Sequence, residues 1–268
     1  MIAQTPAIHP TAIIEDGAQI GEGVVIGPYC TVGPQVVLGE GVELVSHVSL
    51  AGSLTIGAHT KVFPFASLGH PPQDLKFKGE NSVTLIGEKC TIREYVTIQP
   101  GTESDLMKTQ VGNNCLLMVG SHVAHDCVVG DNVIMANNAT LAGHVTVGNH
   151  VIIGGLSAIQ QFVRVGDHAI IGGMSGVEKD VIPYAMVMGE RARLNGLNIV
   201  GMRRRGLSNQ TIQEVMKAYE ILFDEESGLT FIERIEALAQ KASDEPAVQN
   251  LIQFIKNDSK RNICLPKR

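Results

Sequence analysis

His125 and Asp126 are neighbours in the chain, His122 lies three positions before His125, and Gly143-His144 follow eighteen positions after the pair. A histidine beside a carboxylate is the minimum for a general base. The carboxylate sets the imidazole tautomer, and the ring exchanges a proton near neutral pH. If positions eighteen apart stack, Gly143 faces the His125 ring without a side chain and leaves a backbone N–H open beside it. Such an N–H suits the oxyanion of an acyl-transfer intermediate. The set therefore fits deprotonation of a hydroxyl that attacks a thioester carbonyl. Histidines are also ordinary at the corners of repeat proteins, and His150 and His168 recur in the register of His144.

Whether these groups meet depends on the repeat that carries them. From Val111 to Val177 an aliphatic residue occupies every sixth position, as at Val123, Val129, Met135, Leu141 and Val147. Four positions after each stands a small or β-branched residue, as at Cys127, Val133, Ala139 and Val145. The same slot runs from Ile8 to Leu68 and again from Ile86 to Ile98. A fixed six-residue period predicts a stacked parallel β-helix. The slot residue and the one two positions before it point inward, and the residue between points out.

Two interruptions, residues 69–83 and 100–110, are predicted to be loops thrown out of the solenoid. The first is polar, with Pro71, Pro72 and charges of both signs; loops on a rigid scaffold often bind ligands, and a tolerated surface insertion is the plain alternative. The β-helix is expected over 1–184 and a connector with residual extended structure over 185–205. A helical domain is expected over 206–268. Ser208 caps its first helix, Thr230 and Glu233 form a capping box for the second, and Pro246 opens the third.

The chain has 268 residues, 44% apolar, with 29 glycines and no tryptophan, which suits thin coils. A net charge of −6 argues against a general nucleic-acid or anionic-membrane surface. With no basic leader and no 18-residue apolar run, no membrane span is expected and the chain reads as soluble and cytoplasmic. Cys30, Cys90, Cys115 and Cys127 fill the small-residue slot and read as core thiols; Cys264 lies in the tail. Gly154 and Gly172, like Gly155 and Gly173, fall eighteen apart, a patch that could accept an alkyl chain or a neighbouring subunit. Arg203-Arg204-Arg205, with Arg191 and Arg193, form a basic cluster suited to phosphate or an acidic protein.

Several longer matches are more specific than the hexads. They are Gln73-Asp74-Leu75-Lys76, His122-Val123-Ala124-His125-Asp126-Cys127, Ala136-Asn137-Asn138-Ala139-Thr140-Leu141-Ala142-Gly143-His144, Asn195-Gly196-Leu197-Asn198 and Arg203-Arg204-Arg205-Gly206. Through them the chain resembles, nearly end to end, the UDP-N-acetylglucosamine O-acyltransferases that begin lipid A synthesis in Gram-negative bacteria. The resemblance implies a mainly β fold, a left-handed parallel β-helix followed by a small C-terminal α-helical domain. It implies three hexads per turn, so His125, Gly143 and Gln161 stack, as do Asp126, His144 and Phe162. Asp126 is then expected near both histidines, at a corner whose side chains reach solvent.

It further implies a homotrimer with active sites between prisms. The reaction would move an (R)-3-hydroxyacyl group from acyl carrier protein to the 3-hydroxyl of UDP-N-acetylglucosamine. No metal or other cofactor is implied, phosphopantetheine being carried by the acyl carrier protein. Carried over by position, His125 is the general base, Asp126 its orienting partner and Gly143 the oxyanion donor. Gln73, Asp74, Lys76, His122, His144 and Gln161 match ligands of donor or sugar. Asn198, Arg204 and Arg205 match positions near the nucleotide phosphates or the phosphopantetheine. Gly173 matches the position that limits acyl length, and a glycine there implies a longer chain. Gln99 and Gln160 stand where well-known members carry histidine, and Val200 where an acidic residue is common.

Other readings are an acyltransferase of the same fold acting on an amine of an already acylated sugar or using an acyl-CoA, acylation of the 3-amino analogue of the sugar nucleotide, and a purely structural β-helix, which the polar loop and converging corner residues disfavour. From another class comes a γ-carbonic-anhydrase-like metalloenzyme, with His122, His125 and His144 as zinc ligands and an open fourth position.

Overall fold

A computed structural model describes residues 6–241 and 244–267. Each hexad contributes a two-residue strand and a four-residue corner, so His122–Val123, Val128–Val129 and Ile134–Met135 fall on three different sheets. Among the described residues these sheets hold eleven, nine and eight strands, and they form the three faces of a prism. Within the β-helix, strands in neighbouring coils run parallel; Val129 pairs with Val147 and Val147 with Val165. Inward residues such as Cys127, Val129, Val133 and Met135 are almost completely buried, and those between them are not. Ile8, the first slot residue of the repeat, stays exposed, and Ile13 is an outward-pointing strand residue.

The loops explain the phase of the repeat. Ser53 pairs with Val83 and Val83 with Lys108, where uninterrupted coils pair residues eighteen apart. The first loop thus adds twelve residues, two whole hexads, and the slot resumes in phase. The second adds seven and shifts the slot by one.

Three corners run up the prism, and most of their residues take left-handed backbone conformations. One carries Tyr29, His47, Phe65, Tyr95, Leu156 and Met174. Another carries Asp126, His144 and Phe162, and the third Asn114, Asn132, His150, His168 and Tyr184. Asparagine and aspartate tolerate this region better than most residues, which accounts for part of the composition.

Residues 185–205, expected as a connector, are more regular than that. Ala185–Met188 extends the eleven-stranded face, Arg193–Leu197 turns back antiparallel against it, and α1 follows over Ile199–Arg204. Helix α2 (Asn209–Phe223) is capped by Ser208, which accepts from Thr211 N–H at 3.0 Å. Helix α3 (Phe231–Lys241) opens with the Thr230–Glu233 box, and α4 (Pro246–Lys256) has Pro246 in its first turn. Ile212, Val215, Ala218, Leu222, Leu238, Val248 and Leu251 bury the facing stripes. The tail then returns to the prism, with Ile263 and Pro266 bridging Asp180 and Leu194. All five cysteines are buried free thiols, and burial pushes Cys127 up to about 12. Among the described residues no helix is long and apolar enough to cross a membrane.

Candidate active site

His125 Nδ1 lies 2.9 Å from Asp126 Oδ2. Contrary to the expectation of a solvent-facing pair, Asp126 is only 2% exposed and His125 7%. The cause is the second loop, which folds over the carboxylate. Thr102 N–H donates to both oxygens, at 3.0 and 3.1 Å, the Thr102 hydroxyl donates at 2.6 Å, and Leu106 N–H donates at 3.1 Å. Beneath, Asp126 N–H donates to Thr109 Oγ1 at 2.9 Å. Burial alone pushes this carboxyl up. The Thr102 hydroxyl, the His125 ring and Thr102 N–H outweigh it, and the group sits below the usual carboxylate range. An ionised Asp126 accepts from His125, so the proton resides on Nδ1 and the Nε2 lone pair is left for a substrate. Nε2 has no hydrogen-bond partner among the described residues.

Gly143 lies against the ring: a Cβ built on it would come 2.5 Å from His125 Cε1 and 2.6 Å from Nε2. Only glycine lets the imidazole sit here. The Gly143 N–H finds no backbone acceptor among the described residues, whereas the next N–H, of His144, donates to His125 O at 3.0 Å. His144 crosses His125 edge to face, with centroids 4.9 Å apart, and stacks on Phe162 at 4.4 Å. Its Nδ1 is 2.6 Å from Asp105 Oδ2 and 3.9 Å from Asp126 Oδ2. His122 Nδ1 pairs with the Thr97 hydroxyl at 2.6 Å, and burial followed by the charge of His125 lowers its pKa. Thr102, Asp105 and Leu106 had no place in the sequence reading; two of them act through backbone N–H, which any residue could supply.

A metal has limited room in this chemistry. His125, Asp126 and His144 bring ligand atoms within 4.8 Å of one another. The Asp126 oxygens, however, already take the loop donors. His122, the third member of the zinc alternative, is turned to Thr97.

The first loop meets the second beside this corner. Gln73 N–H donates to the buried Gln99 Oε1 at 3.3 Å, and Glu103 N–H donates to Glu80 Oε1 at 3.0 Å. Asp74, Lys76, Lys78, Thr102 and Ser104 line a cavity of about 490 Å³ between the loops. Leu75 projects wholly into solvent.

Other candidates stand elsewhere on the chain. Arg205 Nη1 lies 3.1 Å from His150 Nδ1, at the third corner. Arg204 is exposed nearby. Asn198 caps α1, its Oδ1 accepting from Gly201 N–H at 3.0 Å and its Nδ2 donating to His168 O at 2.9 Å. Gly173 is exposed near the Tyr29 corner, where an added Cβ would first meet Gly155 O at 3.3 Å. Gly154 and Gly172 are held by packing instead, with Gly173 N and Met188 Cβ at 2.4 and 2.8 Å from their built Cβ positions. Arg191 and Arg193 line a separate cavity of about 730 Å³ with Lys267. One chain thus places His125, Arg205 and Gly173 at three different corners.

Residues 180–264 match the family model for UDP N-acetylglucosamine O-acyltransferase, domain 2, and residues 17–52 and 108–143 match the bacterial transferase hexapeptide repeat. The chain is 60% identical over 262 residues to the acyl-[acyl-carrier-protein]--UDP-N-acetylglucosamine O-acyltransferase of Methylobacterium radiotolerans, covering 98% of this chain and 96% of that one. Against the enzyme of the same name from Azorhizobium caulinodans it is 51% identical, covering 97% and 96%. The crystal structure of UDP-N-acetylglucosamine O-acyltransferase from Moraxella catarrhalis superposes with a TM-score of 0.91 at 45% identity, covering 96% of this chain and 98% of that one. The prism is a left-handed β-helix, as in those structures, and the chain is an acyltransferase. With relatives this close along nearly its whole length, the chain belongs to the UDP-N-acetylglucosamine O-acyltransferase family.

Proposed function

We propose that this enzyme transfers an (R)-3-hydroxyacyl chain from acyl carrier protein to the 3-hydroxyl of UDP-N-acetylglucosamine, the first acylation of lipid A synthesis. His125 Nε2 takes the hydroxyl proton as the sugar oxygen bonds to the thioester carbonyl carbon. Gly143 N–H donates to the resulting oxyanion. As the intermediate collapses, the C–S bond breaks and the imidazolium returns its proton to the departing thiolate. The products are the 3-O-acyl sugar nucleotide and the free thiol of the carrier. Asp126 stays ionised throughout and stabilises the imidazolium. The observation that carries this reading is the 2.9 Å contact from His125 Nδ1 to a buried carboxylate held by loop donors.

In this reading Asp74, Lys76, His122, His144 and Gln161 contact donor or sugar, with Gln73 beside them, and Arg204 and Arg205 contact phosphates. Asn198, near the same phosphates, fixes the start of α1, which ends at Arg204 with Arg205 as its C-cap. Gly173 ends the acyl groove. Placement of these groups on three corners supports a trimer whose sites are completed between copies. So does the outward apolar ladder Leu116, Ile134, Ile152 and Ile170, bordered by exposed Leu156 and Met174.

The test is acyl transfer from 3-hydroxyacyl carrier proteins of several lengths to UDP-N-acetylglucosamine and to its 3-amino analogue. Transfer to the hydroxyl sugar is expected, with Gly173→Met shifting the preferred chain to shorter lengths. Transfer to the amine alone would replace the acceptor, and transfer to neither would end the assignment. An unchanged length profile in Gly173→Met would remove that residue as the groove's end.

A further inference from the structure

The C-terminal tail is fastened to the prism by a buried carboxylate. Asp180 is fully buried and receives Arg164 N–H at 2.8 Å, Arg164 Nε at 2.7 Å and the Ser259 hydroxyl at 2.6 Å. Its main chain adds two bonds: Asp180 N–H donates to Asn262 O at 2.9 Å, and Cys264 N–H donates to Asp180 O at 2.8 Å. A buried charge with its cation and remaining lone pairs satisfied fixes whatever is attached to it. Residues 259–264 are therefore set in place.

That anchor delivers two cations to the corner of His125. Arg261 Nε donates to Gln161 O at 2.9 Å, and Lys260 Nζ lies 4.0 Å from the centroid of the Phe162 ring, which in turn stacks on His144. Gln161 stands two coils beyond His125 in the same ladder, about 10 Å along the prism. Among the described residues neither cation has a carboxylate partner. Lys260 is exposed and Arg261 half-buried. The Arg261 terminal nitrogens and the Lys260 ammonium thus have donors to spare, on a rigid support beside the reacting group. Positively charged donors held in this way select phosphate oxygens.

We infer that Lys260 and Arg261 bind a phosphate group of substrate at the acyl-transfer corner, an inference that rests on the reading of His125 above. Two sources share that chemistry: the diphosphate of the sugar nucleotide and the phosphodiester of the carrier's phosphopantetheine.

Steady-state kinetics of the full chain, varying each substrate in turn, tests it with Lys260→Met, Arg261→Met and the charge-keeping Lys260→Arg. Losing a charged hydrogen bond should raise KM about tenfold or more. The rise should fall on one substrate, with kcat within about threefold, and Lys260→Arg should recover most of it. A rise for the sugar nucleotide identifies the diphosphate, and a rise for the acyl carrier identifies the phosphodiester. If neither KM moves more than about twofold, or kcat alone falls, the inference is overturned. Wild type measured alongside separates the failures: an active wild type with unmoved KM values in the variants removes only the phosphate site, whereas an inactive wild type removes both readings.

Discussion

At the corner of Asp126, His144 and Phe162 and at the corner of His150, His168 and Tyr184, rings stack up the prism on left-handed backbone. The carboxylates beside them are used differently. At the His150 corner the residues just before the turn are Asn113, Asp131, Asn149 and Asp167. Each later one accepts the backbone N–H of the one before, at 2.6, 2.8 and 2.7 Å. Asparagine alternates with aspartate, which keeps the two charges two coils apart. These side chains are committed to holding coils together. At the other corner the carboxylate sits in the turn position itself and the residue before it is His125. Seven inserted residues then bring loop backbone over Asp126. Histidine at a corner is common to both; the histidine–aspartate pair under a loop belongs to one.

The largest effect expected from that difference is on turnover. His125→Ala should lose about 10²–10⁴ in kcat, the usual worth of a positioned general base. His168→Ala, at an equally stacked position, should stay within about threefold. Single-turnover acyl transfer on the folded variants measures both. Equal losses would mean that stacking, and not the pairing with Asp126, matters for rate.

The sequence carried the scaffold of this comparison because each coil repeats it. Slot residues such as Val129 and Val147 announce the period, and the ladder places Gly143 against His125 and His144 beside Asp126. The cover over Asp126 was not legible. Leu106 donates through its main chain and Thr102 partly so, and such contacts leave no mark in residue type. The one clue was the seven-residue insertion, read as a one-residue shift of phase, which requires the inserted chain to leave and rejoin next to the coil of Asp126. Helix α1 escaped for a related reason: it has six residues, too few for an amphipathic period, and only its Asn198 cap marks it. The tail's return to Asp180 joins residues 79 apart in sequence, beyond any local pattern.

Removing part of the cover should give an intermediate effect. Thr102→Val deletes the 2.6 Å hydroxyl donor to a buried carboxylate and should cost about 1–3 kcal/mol. The sign with pH follows from the depressed carboxyl. Asp126 stabilises the fold above its unfolded pKa of about 3.9, and that contribution is lost as pH falls through the lower folded value. Without the hydroxyl the folded value rises, so the acid limb of stability moves to higher pH. Urea unfolding at several pH values checks it. A variant with an unmoved limb would show that the backbone donors alone hold Asp126 ionised.

The smallest effect should appear at the other corner. Arg205 Nη1 can donate to His150 Nδ1 only while that imidazole is neutral. Burial, followed by the charge of Arg205, lowers the pKa of His150; Asp167 and Asp131 oppose the shift, and the stacked His168 is lowered as well. The ring therefore stays neutral until the pH is below the ordinary histidine value of about 6.5. As pH falls below that value the corner loses stability, because the unfolded chain binds the proton first. Once His150 is charged, its bond to Arg205 is lost and the two cations repel. If Arg205 contacts the sugar nucleotide, its KM should then rise about two- to tenfold, the worth of one ordinary hydrogen bond. His150→Gln keeps an acceptor that does not titrate, so the acid rise should disappear in it while kcat keeps the profile set by His125 and Asp126. The same rise in His150→Gln would place the titration elsewhere and leave the His150 corner with a purely structural stack.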